Sequence, residues 1–448
     1  MSQNLTKGPV MRSMFCFALP MIAGNLLQQC YNIADTLIVG KILGTNALAA
    51  VGSSFTLMTF LTSILLGLSM GSGAVFSIYF GSRDEENLKE SISASFLLIA
   101  IFTVCFNLLS FACLDWLRAF LHVPSNVWGS MREYLSVIFC GIAAVSLYNY
   151  FASFLRAIGN SLVPLLFLGI SSVLNIILDL WFVLGRSRGI AGAAEATVIS
   201  QYFAGIGICV YALIKYPVLK AGLMEWRSLQ RSSIRQISAF SILTCIQQSV
   251  MHLGILMIQG LVNSFGPIVM AAFAAAVKID AFAYMPVQDF GNAFSTFIAQ
   301  NYGAKKEDRI RAGLKGALLA SLVFCIFVSA AIWIFARPLM GLFVQPEETA
   351  VIAEGVRYLH IEGAFYFGIG CLFLLYGLYR ALSKPGMSVI LTVISLGTRV
   401  LLAYVLSAIP GISVTGIWWA IPIGWLLADF VGLVFYIRRC RHNMFTRS

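Results

Sequence analysis

The sequence contains very little charge. Only 11% of its 448 residues are Asp, Glu, Lys or Arg, whereas soluble domains carry about 25%. A soluble protein with so few charged groups could not cover its surface, so this composition excludes an ordinary soluble domain. Acids are the scarcer sign, with 19 Asp and Glu against 30 Lys and Arg. In a soluble chain, that excess of positive charge would suggest a nucleic-acid-binding protein. In a membrane protein basic cytoplasmic loops account for it, so no nucleic-acid partner is expected.

The sequence motifs of nucleotide and metal chemistry are also missing. The chain has no Walker A sequence, no H-E-x-x-H and no C-x-x-C, and it has only four histidines. Its ten cysteines fall mostly in apolar stretches, a pattern typical of small buried hydrophobes rather than of a disulfide or zinc framework. We therefore expect no enzyme, no cofactor and no direct use of ATP, which leaves an ion gradient as the energy source.

Long apolar stretches are abundant. Hydrophobic residues make up 59% of the chain, and a membrane-spanning helix needs about 20 mainly apolar residues. The pattern predicts twelve spans. The first contains Asn25 and Asp35 and is too polar for a signal peptide. The spans, numbered 1 to 12, are expected at residues 15–39, 48–80, 92–113, 128–154, 163–184, 190–214, 237–264, 268–302, 313–335, 351–379, 386–408 and 412–437.

The positive charges predict the orientation of these spans. If both termini are cytoplasmic, 21 of the 30 Lys and Arg residues fall on the cytoplasmic side, seven fall outside and two lie within spans. This bias is a clear positive-inside signal. We expect a multi-pass protein of the plasma (inner) membrane with both termini in the cytoplasm.

The chain repeats itself at a spacing of 222 to 224 residues. The segment Phe80–Glu86 (FGSRDEE) recurs as Tyr302–Asp308 (YGAKKED), and Arg156-Ala157 matches Arg380-Ala381. Six spans per half is an even number, so both halves have the same orientation and should face each other across a substrate site. The predicted fold class is an all-α polytopic membrane protein of two six-helix lobes with a parallel pseudo-two-fold repeat. The predicted domains are an N-lobe (1–214), a cytoplasmic linker (215–236) and a C-lobe (237–448).

Polar residues inside the spans are functional candidates, because a charge inside a bilayer is costly. Asp35 lies near the outer end of span 1. Asn175 and Asp179 are four residues apart on span 5 and so share a face, and Thr197 lies at a similar depth on span 6. Their oxygens can form a cage for a hard cation such as Na⁺. They can equally form a proton site, because burial and a second carboxylate disfavour the charged form. The alternative is that they merely hydrogen-bond helices together.

The second half does not reproduce this polar set. At an offset of 224 residues, Asn175 corresponds to Arg399 and Asp179 to Ala403. The two halves thus share a scaffold but not their chemistry. This asymmetry favours a specific role for the acids of the first half.

The C-lobe has its own charged cluster, formed by Lys278 and Asp280 on span 8 and Arg399 on span 11. Lys278 and Asp280 are two residues apart and do not face each other. Arg399 needs a partner, which Asp280 or Asp289 can supply, and a structural ion pair is favoured over a functional site. Two further acids are expected near span ends, within reach of water: Glu362 and Asp429.

Pro20 shares span 1 with Asp35. Proline removes a backbone hydrogen bond and favours a kink, although membrane helices tolerate proline widely. We hypothesise that binding of a cation or proton at Asp35 changes the bend of this helix.

Several segments together resemble a known family. They are Pro20, Asn32–Gly40 (NIADTLIVG), Leu155–Asn160 (LRAIGN) and Gln300–Ala304 (QNYGA). With the duplicated six-span layout, they resemble the multidrug and toxic compound extrusion (MATE) transporters along essentially the whole chain. The resemblance implies a V-shaped, two-lobe exporter that exchanges Na⁺ or H⁺ for organic, often cationic, compounds.

The resemblance also implies where coupling occurs. DinF-like members couple transport through an acid of the first helix, whose place Asp35 takes, and Tyr134 and Asn149 resemble further members of that network. NorM-like members instead carry acids in spans 7 and 10. Here span 7 has Gln247 and Gln248, and residues 367–375 of span 10 contain no acid. This favours coupling in the N-lobe.

The expected function is a monomeric antiporter that exports organic cationic or amphiphilic xenobiotics in exchange for H⁺ or Na⁺. The main alternative is a flippase of lipid-linked precursors in the same superfamily, for which Lys278 and Arg399 are the relevant cations. A major-facilitator transporter also has two six-helix halves, but its G-x-x-x-D-R motif is absent after span 2.

Overall fold

The computed structural model of the protein describes residues 4–43, 45–115, 125–186, 188–224 and 229–440. All regular structure in these ranges is helical, which confirms the predicted fold class. The α-helices are α1 (Val10–Leu43), α2 (Thr45–Ser82), α3 (Glu85–Ala112), α4 (Ser125–Phe139), α5 (Ile142–Ala157), α6 (Leu162–Asp179), α7 (Gly189–Lys215), α8 (Pro217–Met224), α9 (Arg231–Asn263), α10 (Pro267–Gly303), α11 (Glu307–Met340), α12 (Thr349–Gly363), α13 (Tyr366–Ala381), α14 (Pro385–Ser407) and α15 (Val414–Phe435). Short π-helical segments extend α6 to Gly185 and α15 to Cys440.

Twelve membrane spans can be drawn from these helices. Ten helices are long and apolar enough to cross a membrane. The other two spans are pairs of helices bent at a short break, Trp128–Phe139 with Ile142–Ala157 at 44° and Thr349–Gly363 with Tyr366–Ala381 at 52°. The predicted number of spans is therefore confirmed within the described residues. The bends in the fourth and tenth spans were not predicted.

The helices are covered by apolar side chains, as expected for a surface in contact with lipid. On α11, for example, four large apolar residues have exposed fractions between 61% and 71%: Leu319, Val323, Phe327 and Ile334. In water such a surface would be a liability. In hydrocarbon it is favourable, so this is a multi-pass membrane protein.

The sequence repeat is also a repeat of the backbone. Left-handed conformations, which L-amino acids adopt rarely, occur at corresponding positions of the two halves. The pairs are Arg83 (φ 60°) with Lys305 (φ 53°), Gly159 (φ 83°) with Ser383 (φ 59°), and Gly189 (φ 61°) with Ser413 (φ 48°). At these three turns the backbone thus has a positive φ in both halves, even where the residue types differ.

The chain forms two compact units. Unit 1 consists mainly of Leu19–Cys245, and unit 2 consists of Leu5–Ala18 together with Ile246–Ser448. The first two turns of α1 thus belong to unit 2, and its remainder belongs to unit 1. Similarly, α9 begins in unit 1 and continues in unit 2.

Within unit 1, α2 and α9 approach each other closely because α2 carries glycine where they cross. A Cβ atom added to Gly67 would lie 2.6 Å from the Cα of Cys245, and one added to Gly71 would lie 2.6 Å from the Cα of Ser241. Small residues four apart allow such backbone contact between membrane helices. A hydrogen bond of 2.9 Å between the hydroxyls of Ser72 and Ser241 completes the crossing.

Substitution of Gly71 by Leu should therefore destabilise unit 1. The added side chain meets backbone atoms of α9, which cannot move aside, and overpacking of this kind costs about 1–3 kcal/mol. Thermal unfolding in detergent would show a lower midpoint than for the parent protein. Gly260→Leu on α9 is the matched control, since a Cβ there meets no atom within 4 Å. Equal midpoints for the two variants would contradict this account of the crossing.

Candidate functional site

The predicted coupling residues of the first half come together inside unit 1. Asp35 lies on α1, Asn175 and Asp179 lie one turn apart on α6, and Thr197 lies on α7. Their exposed fractions are 9% for Asp35, 2% for Asn175, 0% for Asp179 and 9% for Thr197. The three helices therefore enclose a polar cluster away from lipid.

The Asn175 side chain links α6 to α7. With its amide oriented so that both polar atoms are satisfied, Nδ2 donates to Asp179 Oδ2 at 2.7 Å and Oδ1 accepts from the backbone N–H of Thr197 at 3.0 Å. The Thr197 hydroxyl donates to the carbonyl oxygen of Ala193 at 3.1 Å. The four-residue spacing that predicts a shared face thus corresponds to a direct hydrogen bond between Asn175 and Asp179.

The carboxyl groups of Asp35 and Asp179 are hydrogen-bonding neighbours. Each also has a buried oxygen, Oδ1, with no hydrogen-bond partner among the described residues. Two carboxylates in contact in a site of low dielectric constant cannot both stay charged unless a cation compensates them. The pair can therefore hold one shared proton or a bound cation, and its charge changes when that ion leaves.

Two tyrosines border this carboxyl pair. The hydroxyls of Tyr31 on α1 and Tyr134 on α4 lie within electrostatic range of both acids, and the Tyr31 hydroxyl lies 3.5 Å from Thr197 Oγ1. Sequence reasoning missed Tyr31. Its position, four residues before Asp35, was the signal that could have found it, since residues so spaced share a helix face.

Asn149 and Pro20 lie outside this hydrogen-bonded cluster. Asn149 is half-buried on α5, and its side chain makes no hydrogen bond within the described part of the chain. Pro20 lies inside α1, which runs on past it to Leu43. It follows the boundary between units 2 and 1, which falls between Ala18 and Leu19.

The site has too few charged ligands for a typical divalent metal. No group of three or more His, Cys, Asp or Glu side chains comes together in the described ranges. A cation between Asp35 and Asp179 would complete its coordination with neutral oxygens.

Unit 2 contains a second buried polar cluster. Tyr366 donates to Asp280 Oδ1 at 2.7 Å, and the charge of Arg399 acts on both Asp280 and Glu362. Asp280, one of the two predicted partners of Arg399, thus lies within range of its charge, but the predicted ion pair is not formed: no salt bridge of Arg399 occurs among the described residues. The side chains of Glu362 and Tyr358 are hydrogen-bonded to each other.

The structure corrects the expectation that Glu362 and Asp429 are reached by water. Their exposed fractions are only 2% and 6%. Glu362 sits one residue before the end of α12, where the chain bends into α13. The bend turns this helix end into the interior of unit 2.

Lys278 does not join the other charges of unit 2. Its side chain is exposed on α10, whereas Asp280 is 5% exposed. The ammonium group lies 6.0 Å from the centroid of the Phe343 ring. The predicted C-lobe cluster therefore consists of Asp280 and Arg399, with Glu362 added.

Comparisons with known proteins agree with this architecture. The profile of the MatE family matches residues 20–181 and 241–405, one segment in each half. "Probable multidrug resistance protein YpnP" of Bacillus subtilis is 29% identical over 392 residues, which cover 88% of this chain and 87% of that protein. "Multidrug export protein MepA" of Staphylococcus aureus is 24% identical over 447 residues, covering 97% and 95%.

A solved structure, that of a MATE in complex with MaL6, has the same fold. It superposes with a TM-score of 0.90 at 22% sequence identity, covering 97% of each chain. Because the family profile covers well over half of the chain on both sides of the repeat, this protein belongs to the MatE family and is a membrane transporter rather than an enzyme.

Proposed function

We propose that this protein is an antiporter that exports organic cationic or amphiphilic compounds in exchange for H⁺. The names of its relatives, a multidrug export protein and a probable multidrug resistance protein, support drug-like organic substrates. The positive-inside bias of the sequence supports a plasma-membrane protein with both termini in the cytoplasm. We further propose that the protein functions as a monomer.

The observation that carries this proposal is the buried pair of Asp35 and Asp179. Both side chains are at most 9% exposed, they contact each other, and each has an unpartnered oxygen among the described residues. An unsatisfied buried polar group costs about 1–3 kcal/mol. A cluster with only a structural role would therefore provide hydrogen-bond partners for these carboxyl oxygens. A pair that needs an ion for neutrality is suited to gradient-driven transport.

The cluster favours a proton over Na⁺ as the coupling ion. With the Asn175 amide assigned so that both of its polar atoms are satisfied, its nitrogen donates to Asp179 and its oxygen accepts from Thr197, and in that orientation the amide offers no oxygen to a cation held by the acids. Two carboxyl groups in direct contact can share one proton without any further ligand. This arrangement also fits the DinF-like branch, in which an N-lobe acid couples transport.

Coupling requires that the ion bind one conformation better than the other. The element best suited to respond is α1, which carries Asp35 and contains Pro20. We propose that loss or gain of the proton at Asp35 changes the bend of α1 at Pro20. The flippase alternative receives less support, because Arg399 is buried.

An inward proton gradient should drive efflux of a fluorescent organic cation such as ethidium from proteoliposomes. A Na⁺ gradient imposed alone, at equal pH on both sides, should leave efflux at the level of empty liposomes. Efflux driven by Na⁺ alone would contradict the assignment of the proton. Absence of efflux under both gradients, with ethidium binding intact, would contradict antiport of this substrate class.

A further inference from the structure

A short segment before α1 is bound tightly by unit 2. Leu5 is completely buried and Thr6 is 8% exposed. The Leu5 backbone N–H donates to Gln300 Oε1 at 3.1 Å, and the Leu5 carbonyl oxygen accepts from Asn301 Nδ2 at 3.2 Å. Gln300 and Asn301 belong to the QNYGA segment at the end of α10, for which the coupling site provides no role.

Two cations at the start of α11 bind the same segment. The Arg309 guanidinium donates to the carbonyl oxygens of Gly8, Leu5 and Lys7 at 2.7, 3.0 and 3.2 Å, and Lys306 Nζ donates to that of Thr6 at 2.8 Å. Each of the four consecutive carbonyls of Leu5–Gly8 thus accepts a hydrogen bond from a charged group. We call Leu5–Gly8, with Gln300, Asn301, Lys306 and Arg309, the N-terminal anchor.

Arg309 has no carboxylate partner in the described part of the chain. Its Nε donates to Asn301 Oδ1 at 3.0 Å, and its guanidinium lies 5.6 Å from the centroid of the Phe297 ring. Charge-assisted hydrogen bonds to carbonyls are about twice as strong as neutral ones. The positive charge of Arg309 therefore holds the backbone of Leu5–Gly8 in place.

The contact continues along the first two turns of α1. Met11 packs against Gly316 of α11, and the rings of Phe15 and Phe290 have centroids 5.5 Å apart. The unit boundary follows at Ala18. One helix thus has its beginning fixed in unit 2 and its carboxylate, Asp35, within the polar cluster of unit 1.

We propose that the N-terminal anchor couples ion binding at Asp35 to the conformation of unit 2. The inference rests on the proposed antiport. A change in α1 that starts at Asp35 reaches unit 2 through the covalent helix only if the first turns of α1 are held there. Arg309 and Lys306 are thus positioning residues: they touch neither ion nor substrate, and they fix the end of the element that transmits the change.

The double variant Lys306→Met/Arg309→Met tests this role. Ethidium binding in detergent and its pH dependence should remain as in the parent, because Asp35 and its neighbours are untouched. Gradient-driven ethidium efflux should fall by about tenfold or more, which lies within the usual range of coupling between sites. A merely structural role would change binding and efflux together. Arg311→Met is the matched control, since Arg311 is an exposed cation of the same helix whose one salt bridge among the described residues is to Glu307.

Release of the segment is measured separately. In a background without other reactive cysteines, Thr6→Cys should react slowly with a membrane-impermeant maleimide and about tenfold faster in the double variant, as expected when a protected segment opens locally. The proposal would be overturned if Cys at position 6 still reacted slowly with the maleimide in the double variant. It would also be overturned if the segment were released and efflux stayed normal. If the double variant fails to fold, Arg309→Lys, which keeps the charge but not the fork of donors, should give intermediate efflux with intact binding. Parent-level efflux of Arg309→Lys would then overturn it.

Asp35→Asn, measured in parallel, distinguishes the two levels of inference. If Asp35→Asn keeps proton-driven efflux, the proposed function fails whatever the anchor variants do. If Asp35→Asn loses efflux while the released anchor variant exports normally, only the role of the anchor fails.

Discussion

Gradient-driven efflux is expected to fall by about 100-fold or more when Asp35 is replaced by Asn, since an ion can shift a conformational equilibrium only through its differential affinity for the two states. The amide keeps the size and much of the hydrogen bonding of the carboxyl group but cannot exchange a proton. With a neutral side chain at position 35 in every state, Asp179 no longer shares a proton with a second carboxyl group. Proton binding then no longer distinguishes the two conformations. Ethidium efflux from proteoliposomes under an inward proton gradient is the measurement.

The control for this substitution is Glu133→Gln, which makes the same chemical change at an exposed position of α4 in the same unit. The control should export at the parent rate, and both variants should insert into the membrane in parent amounts. Distance measurements between labels on either side of Pro20 should show a pH-dependent change of α1 in the parent and none in Asp35→Asn. Normal efflux by Asp35→Asn would refute the coupling role, and one shape of α1 at all pH values would refute the role of the bend.

Most of the proposed coupling cluster could be predicted from sequence because of one spacing and one feature of composition. Asn175 and Asp179 are one helical turn apart, and this alone places their side chains on one face. The scarcity of acids in the spans makes Asp35 conspicuous. Contact between Asp35 and Asp179 could not be predicted, because it depends on how α1 and α6 pack, and comparable depth in a membrane does not specify which faces meet.

The number of spans was predictable for a similar reason. Hydropathy depends on composition, and every span is apolar over about 20 residues. The bends at 140–141 and at 364–365 were not predictable, because apolar residues continue through both breaks. Glu362 lies one residue before the first helix of the tenth span ends at Gly363, and it is buried.

We expect Arg399 to have a structural rather than a transport role, so Arg399→Met should lose stability. The charge of Arg399 acts on Asp280 and Glu362, and all three side chains are buried. Removing one partner of a buried charge pair leaves the other uncompensated and costs about 3–5 kcal/mol. The free energy of unfolding, obtained by denaturant titration in mixed micelles, should fall by this amount.

The double variant Arg399→Met/Asp280→Asn should recover part of that loss, because of the two acids only Glu362 then remains without the cation, and the asparagine oxygen can still accept from Tyr366. Arg337→Met, an exposed cation on α11, should leave stability unchanged. The double variant should also export ethidium at close to the parent rate, since the proposed coupling acids lie in unit 1. A stable double variant that cannot export would show instead that the charges of unit 2 take part in transport.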